Sequence, residues 1–372
     1  MLKSIIKNLS NLPGWRTNRK IVVIESDDWG SIRMSSKNAY DTLLSKGLIL
    51  DKGAGARYNK YDTLASAEDL NCLFETLNSV KDKNNHSAKF TVVSLTSNPD
   101  FEKIKESKFE TYFYEPITTT LEKYNKSDAF ALWQEGIAAN TFVPEFHGRE
   151  HLNVQPWMRA LKKGDREALL AFDYGIWCND QKEGMGFQAA FDLEFATDLE
   201  EQKTIITDGL QLFEKLHGYK ARFFVPPNGP INNELEKVAA TAGIEFMSSP
   251  KIQKEVLGEG RTTTHFRYLG KNNKYGQTYI TRNAFFEPSG SSKSEVASCL
   301  AEIELAFKFK KPAVISSHRV NYIGGLSVKN RDKGLIQLKE LLKAITKKWP
   351  EVEFMTSTEL GEIIRKKNRK NI

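Results

Sequence analysis

Two of the six histidines in this 372-residue chain stand four apart, in His147-Gly148-Arg149-Glu150-His151. On a helix that spacing stacks both imidazoles on one face, about a metal's width apart. Two adjacent carboxylates, Asp27 and Asp28, directly follow the apolar run 20–25 (KIVVIE). A turn at the end of a buried strand would hold them close together. One carboxylate and two imidazoles make a metal site with open positions for water and substrate, which leaves the second carboxylate as a base. A bound metal brings the pKa of water toward neutrality, and a neighbouring carboxylate can take the proton. His318 follows the apolar run 313–316 (AVIS) and reads as a histidine in apolar surroundings. Set across from a metal, it could protonate a leaving amine. Each motif also has a bland reading: acids on a turn, histidines packing a helix start, a satisfied core histidine. His86, His217 and His265 have no comparable setting and read as structural or surface residues.

What favours chemistry is convergence at the ends of strands. The apolar or β-rich runs 20–25, 89–95, 141–146, 222–225, 243–247, 278–281, 313–316 and 352–355 read as strands. Helical patterns lie between them at 67–80, 155–170, 199–216, 232–242, 294–309 and 334–347. Ser66 caps the first of these, with Asp69 three residues on. Alternation of this kind implies an α/β protein with a parallel sheet, and about seven or eight such units favour closure into a (β/α) barrel. Parallel α/β sheets place their chemistry beyond the carboxyl ends of the strands. Four ends carry polar clusters: Asp27 and Asp28, His147 to His151, Pro226-Pro227-Asn228-Gly229, and Ser317-His318-Arg319. Segment 173–195 fits neither period and reads as an insertion near the active face. The expected organisation is a basic extension over 1–20, one barrel domain over 21–364, and a basic tail over 365–372.

Composition narrows the class. Hydrophobic residues make up 40% and charged residues 27%, which is ordinary for a globular protein. Cys72, Cys178 and Cys299 lie far apart, so neither a disulfide framework nor a Cys-rich zinc module is available. No run of 18 apolar residues is present and the start lacks a signal-like core, so the expected compartment is the cytoplasm. The net charge of +7 sits at the ends: Lys3, Lys7, Arg16, Arg19 and Lys20 at one, and Arg365, Lys366, Lys367, Arg369 and Lys370 at the other. Setting those ten aside leaves 44 of the 54 basic residues against 47 acidic ones. That distribution argues against a nucleic-acid partner, which would select a basic folded face. The ends read as solvated tails, or as a weak peripheral contact with an anionic membrane.

With these residues in place, the chain resembles the polysaccharide deacetylases of carbohydrate esterase family 4, over about 20–361. Glu25-Ser26-Asp27-Asp28-Trp29-Gly30 resembles the family's first motif, with Trp29 inserted before the glycine, and His147 and His151 match the second. The run 352–357 is similar to the family's last strand. The resemblance implies a distorted (β/α) barrel and a divalent metal, zinc first, with cobalt, nickel or manganese as alternatives. It implies Asp28, His147 and His151 as metal ligands, Asp27 as base and His318 as acid. It also implies substrate or oxyanion contacts from Asn228, Trp29 and Arg319. The third motif departs from the family: Val225 stands where an arginine would hold the base, so any such partner for Asp27 comes from elsewhere, Arg319 or Arg282. Gly148 replaces a Ser or Thr, and Ser316 replaces a Leu, which makes the acyl pocket more polar.

The expected function is therefore metal-dependent removal of an acetyl group, N-acetyl in the first instance, from a sugar or glycan precursor. Metal-activated water attacks, Asp27 takes a proton and His318 supplies one. Two alternatives stand beside it. His-x-x-Glu-His is also the pattern of an inverted zinc metallopeptidase, with Glu150 as base; that needs a helix through Gly148, which is poor helix material. The other is a catalytically inactive, glycan-binding barrel.

Overall fold

The computed structural model describes residues 11–177, 185–290 and 294–369. Thirteen strands occur among them. β1 (Ile21–Trp29), β2 (Phe90–Leu95), β3 (Ser97–Pro99), β4 (Tyr114–Pro116), β5 (Phe142–Gly148), β6 (Phe223–Phe224) and β7 (Phe246–Ser248) come first. β8 (Ile252–Gly258), β9 (Arg261–Phe266), β10 (Thr278–Ile280), β11 (Ala284–Phe285), β12 (Ala313–His318) and β13 (Glu353–Met355) follow. The main sheet runs β10-β7-β6-β5-β2-β1-β12-β11, with β13 paired to the first residues of β1. Every neighbouring pair in it is parallel. All eight strands expected from the apolar runs are present. The ninth, β11, has two residues and is too short to carry a period. The expected α/β barrel is thus an open, distorted one. Its edge strands β10 and β11 are joined by residues 281–283 alone, so four Cα steps of 3.8 Å hold the two edges within about 15 Å of each other.

Alternation along β1 divides its side chains between two cores. Val22 and Ile24 face outward into the cluster with Leu73, Ile303 and Leu338 from the surrounding helices. Ile21 and Val23 face the barrel interior with Val93, Val314, Leu360 and Ile364. The C-terminal helix Ser357–Arg369 therefore plugs one end of the barrel with apolar side chains. Each Val or Ile fully buried this way contributes roughly 1.5–3 kcal/mol. Two residues further along the same interior ladder come Glu25 and then Asp27, so β1 passes from an apolar plug to a polar mouth.

The six expected helical spans are present, one of them broken and one starting early at Val328, and the helices Lys37–Ser45, Asp128–Ala138 and Ser357–Arg369 lie outside those spans. The capping box at Ser66 and Asp69 starts Ala67–Asn78. Leu199–His217 stops at Gly218, which is left-handed at φ +78°. The pattern over 155–170 is two helices instead of one, Val154–Lys162 and Arg166–Phe172. Gly164 at φ +77° turns the chain between them, and Asp165 caps the second by accepting from the Ala168 N–H.

The described parts of the two ends, 11–20 and 365–369, are docked on the barrel and are not solvated tails. Arg19 forms a two-point ion pair with Glu353, and the terminal helix continues through Arg369. Arg365 pairs with Glu245, and the Lys367 ammonium lies over the Trp15 ring. The Lys311 ammonium donates to the carbonyls of Pro13, Gly14 and Trp15 at 2.8, 2.7 and 2.9 Å, which fastens the segment before β1 to the barrel. Lys3, Lys7 and Lys370 lie outside the described residues, as does 178–184 of the segment read as an insertion, Cys178 included. No helix among the described residues is long and apolar enough to cross a membrane.

Candidate active site

Two bulges build the site, both opposite β2. On β1, Ser26 pairs with Val92 and Trp29 with Ser94, so Asp27 and Asp28 together face the single residue Val93. Asp28 takes up the extra length at φ +74°, a left-handed conformation that costs a non-glycine residue about 1 kcal/mol or more. On β5, Phe146 pairs with Ser94 and Gly148 with Leu95, which leaves His147 as the extra residue. Bulges re-aim side chains in this way. His147 thus belongs to a strand end, and His151 lies in the turn before the helix Val154–Lys162. The helical stacking expected from their spacing is not how they meet. The strand runs on to Gly148, at φ +144°, and the turn that follows carries His151 back toward His147.

The outcome is one compact constellation. Asp28 Oδ1 lies 3.3 Å from Nε2 of His147 and 3.3 Å from Nε2 of His151. The three candidate ligand atoms lie within 4.8 Å of one another. Tetrahedral zinc with bonds of about 2.0–2.1 Å needs ligand–ligand edges of roughly 3.3–3.4 Å, so both edges at Asp28 already have the required length. His147 Nδ1 sits 2.6 Å from the carbonyl oxygen of Val225, which orients the ring and leaves Nε2 as the inward atom. His151 packs against the Trp177 indole, with ring centroids 5.9 Å apart. Burial opposes the charge on Asp28, but the hydrogen bonds from His147 and His151 outweigh it and hold the carboxyl well below its ordinary value. Burial lowers His151, against the pull of Asp28, which favours the neutral imidazole that a metal takes. The donor set fits a divalent ion.

Asp27 and His318 are cross-strand partners in the β1–β12 register, with Nε2 of His318 3.8 Å from Oδ2 of Asp27. The Arg282 guanidinium grips Asp27 through two bonds of 2.6 Å and also donates to Glu25 at 2.6 Å and to the Ser316 hydroxyl at 3.0 Å. Burial works against the Asp27 charge, but Arg282 outweighs it and lowers the carboxyl. Of the two arginines considered for Asp27, Arg282 is the one beside it. His318 differs from a histidine in apolar surroundings. Its Nδ1 meets Glu287 at 2.5 Å, and Tyr58 packs edge-on against its ring. Burial disfavours the charged ring, yet Glu287 and the two aspartates prevail and raise it to about 9.

Asp27, Asp28, His147, His151, Arg282 and His318 line one cavity of about 930 Å³, with Asn228, Arg57, Tyr58 and Phe285 on its walls. Asn228 sits on the turn after β6 at φ +56°. Two residues expected at the substrate lie elsewhere. Trp29 is in the core, edge-on to Trp133 and Phe142, with its indole N–H on the Ser26 hydroxyl. Arg319 is fully buried and pairs with Asp62 at 2.9 Å while donating to the Ser31 carbonyl. It ties the end of β12 to the segment after β1 and does not line the cavity. Trp29 ends β1 on the outer side of the sheet, after the bulge, and Arg319 opens the short 3-10 turn after β12, which carries its side chain away from the cavity. Glu150 is buried and doubly bonded by Arg149, away from the cavity. The sequence reading missed Glu287, Arg57 and Tyr58, for which no local spacing gives a signal.

No sequence-family profile matches the chain, and no curated protein matches it in sequence. The fold does have counterparts among solved structures. A Parabacteroides distasonis protein provisionally named a glycoside hydrolase/deacetylase superposes with a TM-score of 0.50 at 9% identity, over 95% of this chain and 73% of that one. The two chains share a fold. Two further structures provisionally named polysaccharide deacetylases are more distant. The Pseudomonas aeruginosa protein has a TM-score of 0.46 at 8% identity, over 93% of this chain and 91% of its own. The one from Mycobacterium smegmatis has 0.45 at 11%, over 96% and 94%. At such identities the likeness to the deacetylase fold concerns backbone architecture only, and chemistry has to be argued from the site.

Proposed function

We propose that this chain is a metal-dependent hydrolase that removes an acyl group, N-acetyl in the first instance, from an amino sugar or glycan precursor. The observation that carries the reading is the grouping of Asp28, His147 and His151, with Asp27 and His318 side by side at its edge. Asp28, His147 and His151 would hold the divalent ion, with zinc the first choice for an Asp-His-His set. When bound, it would acidify water and polarise the acyl carbonyl.

The protein groups supply the rest. Asp27 takes a proton from the attacking water as oxygen bonds to the acyl carbon. Arg282 keeps that carboxylate ionised and oriented until it is needed. The backbone N–H of Asn228 is assigned to the carbonyl oxygen as negative charge develops on it. His318, charged through Glu287, gives its proton to the nitrogen as the C–N bond breaks, so the amine leaves neutral, the acyl group leaves as the carboxylic acid, and the proton held by Asp27 passes to His318 to reset the pair. Ser316 lines the cavity, but its hydroxyl already serves Arg282. The metallopeptidase reading finds no support, because Glu150 is spent on Arg149. We take residues 11–369, docked ends included, as one catalytic domain. Its place of action in this reading is the cytoplasm, where a glycan precursor would be met before export.

Metal analysis of untagged protein and a screen of N-acetylated sugars test the reading. Asp27→Asn should keep about one divalent ion per chain and lose at least roughly 100-fold in kcat, whereas His147→Ala should lose the ion. Glu150→Gln should keep most turnover. A chain that binds no divalent ion and acts on no acylated sugar would be the inactive barrel instead.

A further inference from the structure

We propose that Glu25 is the positioning residue of this site: it seats the Arg282 guanidinium and, through Arg282, fixes the carboxylate of Asp27. The role assigned to Asp27 rests on the hydrolase reading; the seating of Arg282 rests on geometry alone. Glu25 and Asp27 are two apart on β1, so both side chains enter the barrel on the same face. Glu25 is fully buried and does not line the cavity, so it touches neither substrate nor ion. Burying a carboxylate is expensive unless its partners are well placed, and here they are. Oε2 accepts from Arg282 Nε at 2.6 Å, and Oε1 accepts from the Ser357 hydroxyl at 2.7 Å. Ser357 opens the helix that plugs the barrel.

Arg282 needs anchors besides Asp27; the Ser316 hydroxyl on β12 gives a neutral one at 3.0 Å and Glu25 the ionic one at 2.6 Å. Arg282 comes from the three-residue link between the edge strands β10 and β11, outside any strand pairing. Its long side chain reaches across the barrel mouth on several rotatable bonds. The pair with Asp27 alone would move as one unit, because a two-point guanidinium–carboxylate contact fixes the partners to each other and not to the fold. Glu25 takes the remaining Nε edge and belongs to a strand paired on both sides, with Thr91 on β2 and Ser316 on β12. The guanidinium plane is thereby referred to the centre of the sheet. Asp27, which follows into the bulge, inherits a fixed orientation.

The test uses the full chain loaded with zinc and labelled with 15N-arginine. The Arg282 Nε–H should resonate downfield and exchange at least roughly 100-fold more slowly than an exposed arginine. Glu25→Gln should cut that protection at least roughly tenfold, with zinc content unchanged. Asp27→Asn should leave it in place, because Glu25 still holds Nε. Unchanged protection in Glu25→Gln overturns the proposal, as does loss of zinc from that variant. With an N-acetylglucosamine tetramer as probe, Glu25→Gln and Arg282→Lys should both lower kcat at least roughly tenfold while KM stays within about twofold; an effect confined to KM overturns it. If the wild-type protein hydrolyses no acylated sugar, the hydrolase reading falls, and the exchange measurement still decides whether Glu25 seats Arg282.

Discussion

His318 can act as an acid only while it carries a proton. Glu287 and the aspartates raise it to about 9 against the cost of burial, and a cation held by Asp28 would offset part of that rise, so kcat/KM should fall as pH climbs past a point below about 9. Glu287→Gln should move that fall toward neutral pH in the pH–rate profile. His217 is the opposite case. Its two ring nitrogens are buried without partners, and its ring stacks on Trp133. Burial alone pushes it down to about 3. The unfolded chain takes up a proton near pH 6.5 and the folded chain does not, so stability is lost as pH drops from about 6.5 toward 3, by up to about 1.4 kcal/mol per unit. His217→Phe should remove that slope and, at pH 5, stabilise the protein by about 1–3 kcal/mol in urea unfolding.

At the scale of elements, the chemistry depends on two bulges that share one partner strand. Gly148 ends the β5 bulge at φ +144°, and a Cβ there would lie 3.1 Å from the Glu150 carbonyl oxygen. Gly148→Ala should therefore strain the turn that brings His151 back to His147. The expected outcome is a loss of about 1–3 kcal/mol of stability and a weakening of zinc affinity by roughly tenfold or more, read by titration with a competing chelator. Gly164→Ala is the control. That residue is also left-handed, at φ +77°, but a Cβ would meet nothing within 4 Å. It should cost only about 1 kcal/mol and leave zinc affinity alone.

Across the whole molecule, the site is assembled by ties between distant segments. Arg319 binds Asp62 and the Ser31 carbonyl, so the end of β12 holds the segment that carries Arg57 and Tyr58 to the cavity wall. Burial raises Asp62 to about 6 even with Arg319 beside it. Arg319→Met would strand that acid, which costs about 3–5 kcal/mol when the charge must stay. The loss should be larger at pH 8 than at pH 5, where Asp62 can take a proton instead. Urea unfolding at the two pH values checks both the size and the sign.

Sequence alone was enough to place eight of the nine strands of the main sheet, because a continuous apolar run such as KIVVIE reads as buried on both faces, whereas the antiparallel pairs β3-β4 and β8-β9 carry no such run. It also brought out Asp27, Asp28, His147, His151 and His318 as a set, since each follows such a run and parallel sheets gather their strand ends on one rim. Tertiary structure decided how the members meet. The bulges on β1 and β5 depend on pairing with β2, and pairing is invisible along one strand. Arg282 and Glu287 reach the site from segments that carry no period, and they matter because the sheet curls until its two edge strands are joined by three residues. Trp29 and Arg319 sit beside the right residues in the chain and point the wrong way in space, because Trp29 falls on the outer side of its strand, Arg319 starts a 3-10 turn, and only the packed sheet says which side is the mouth.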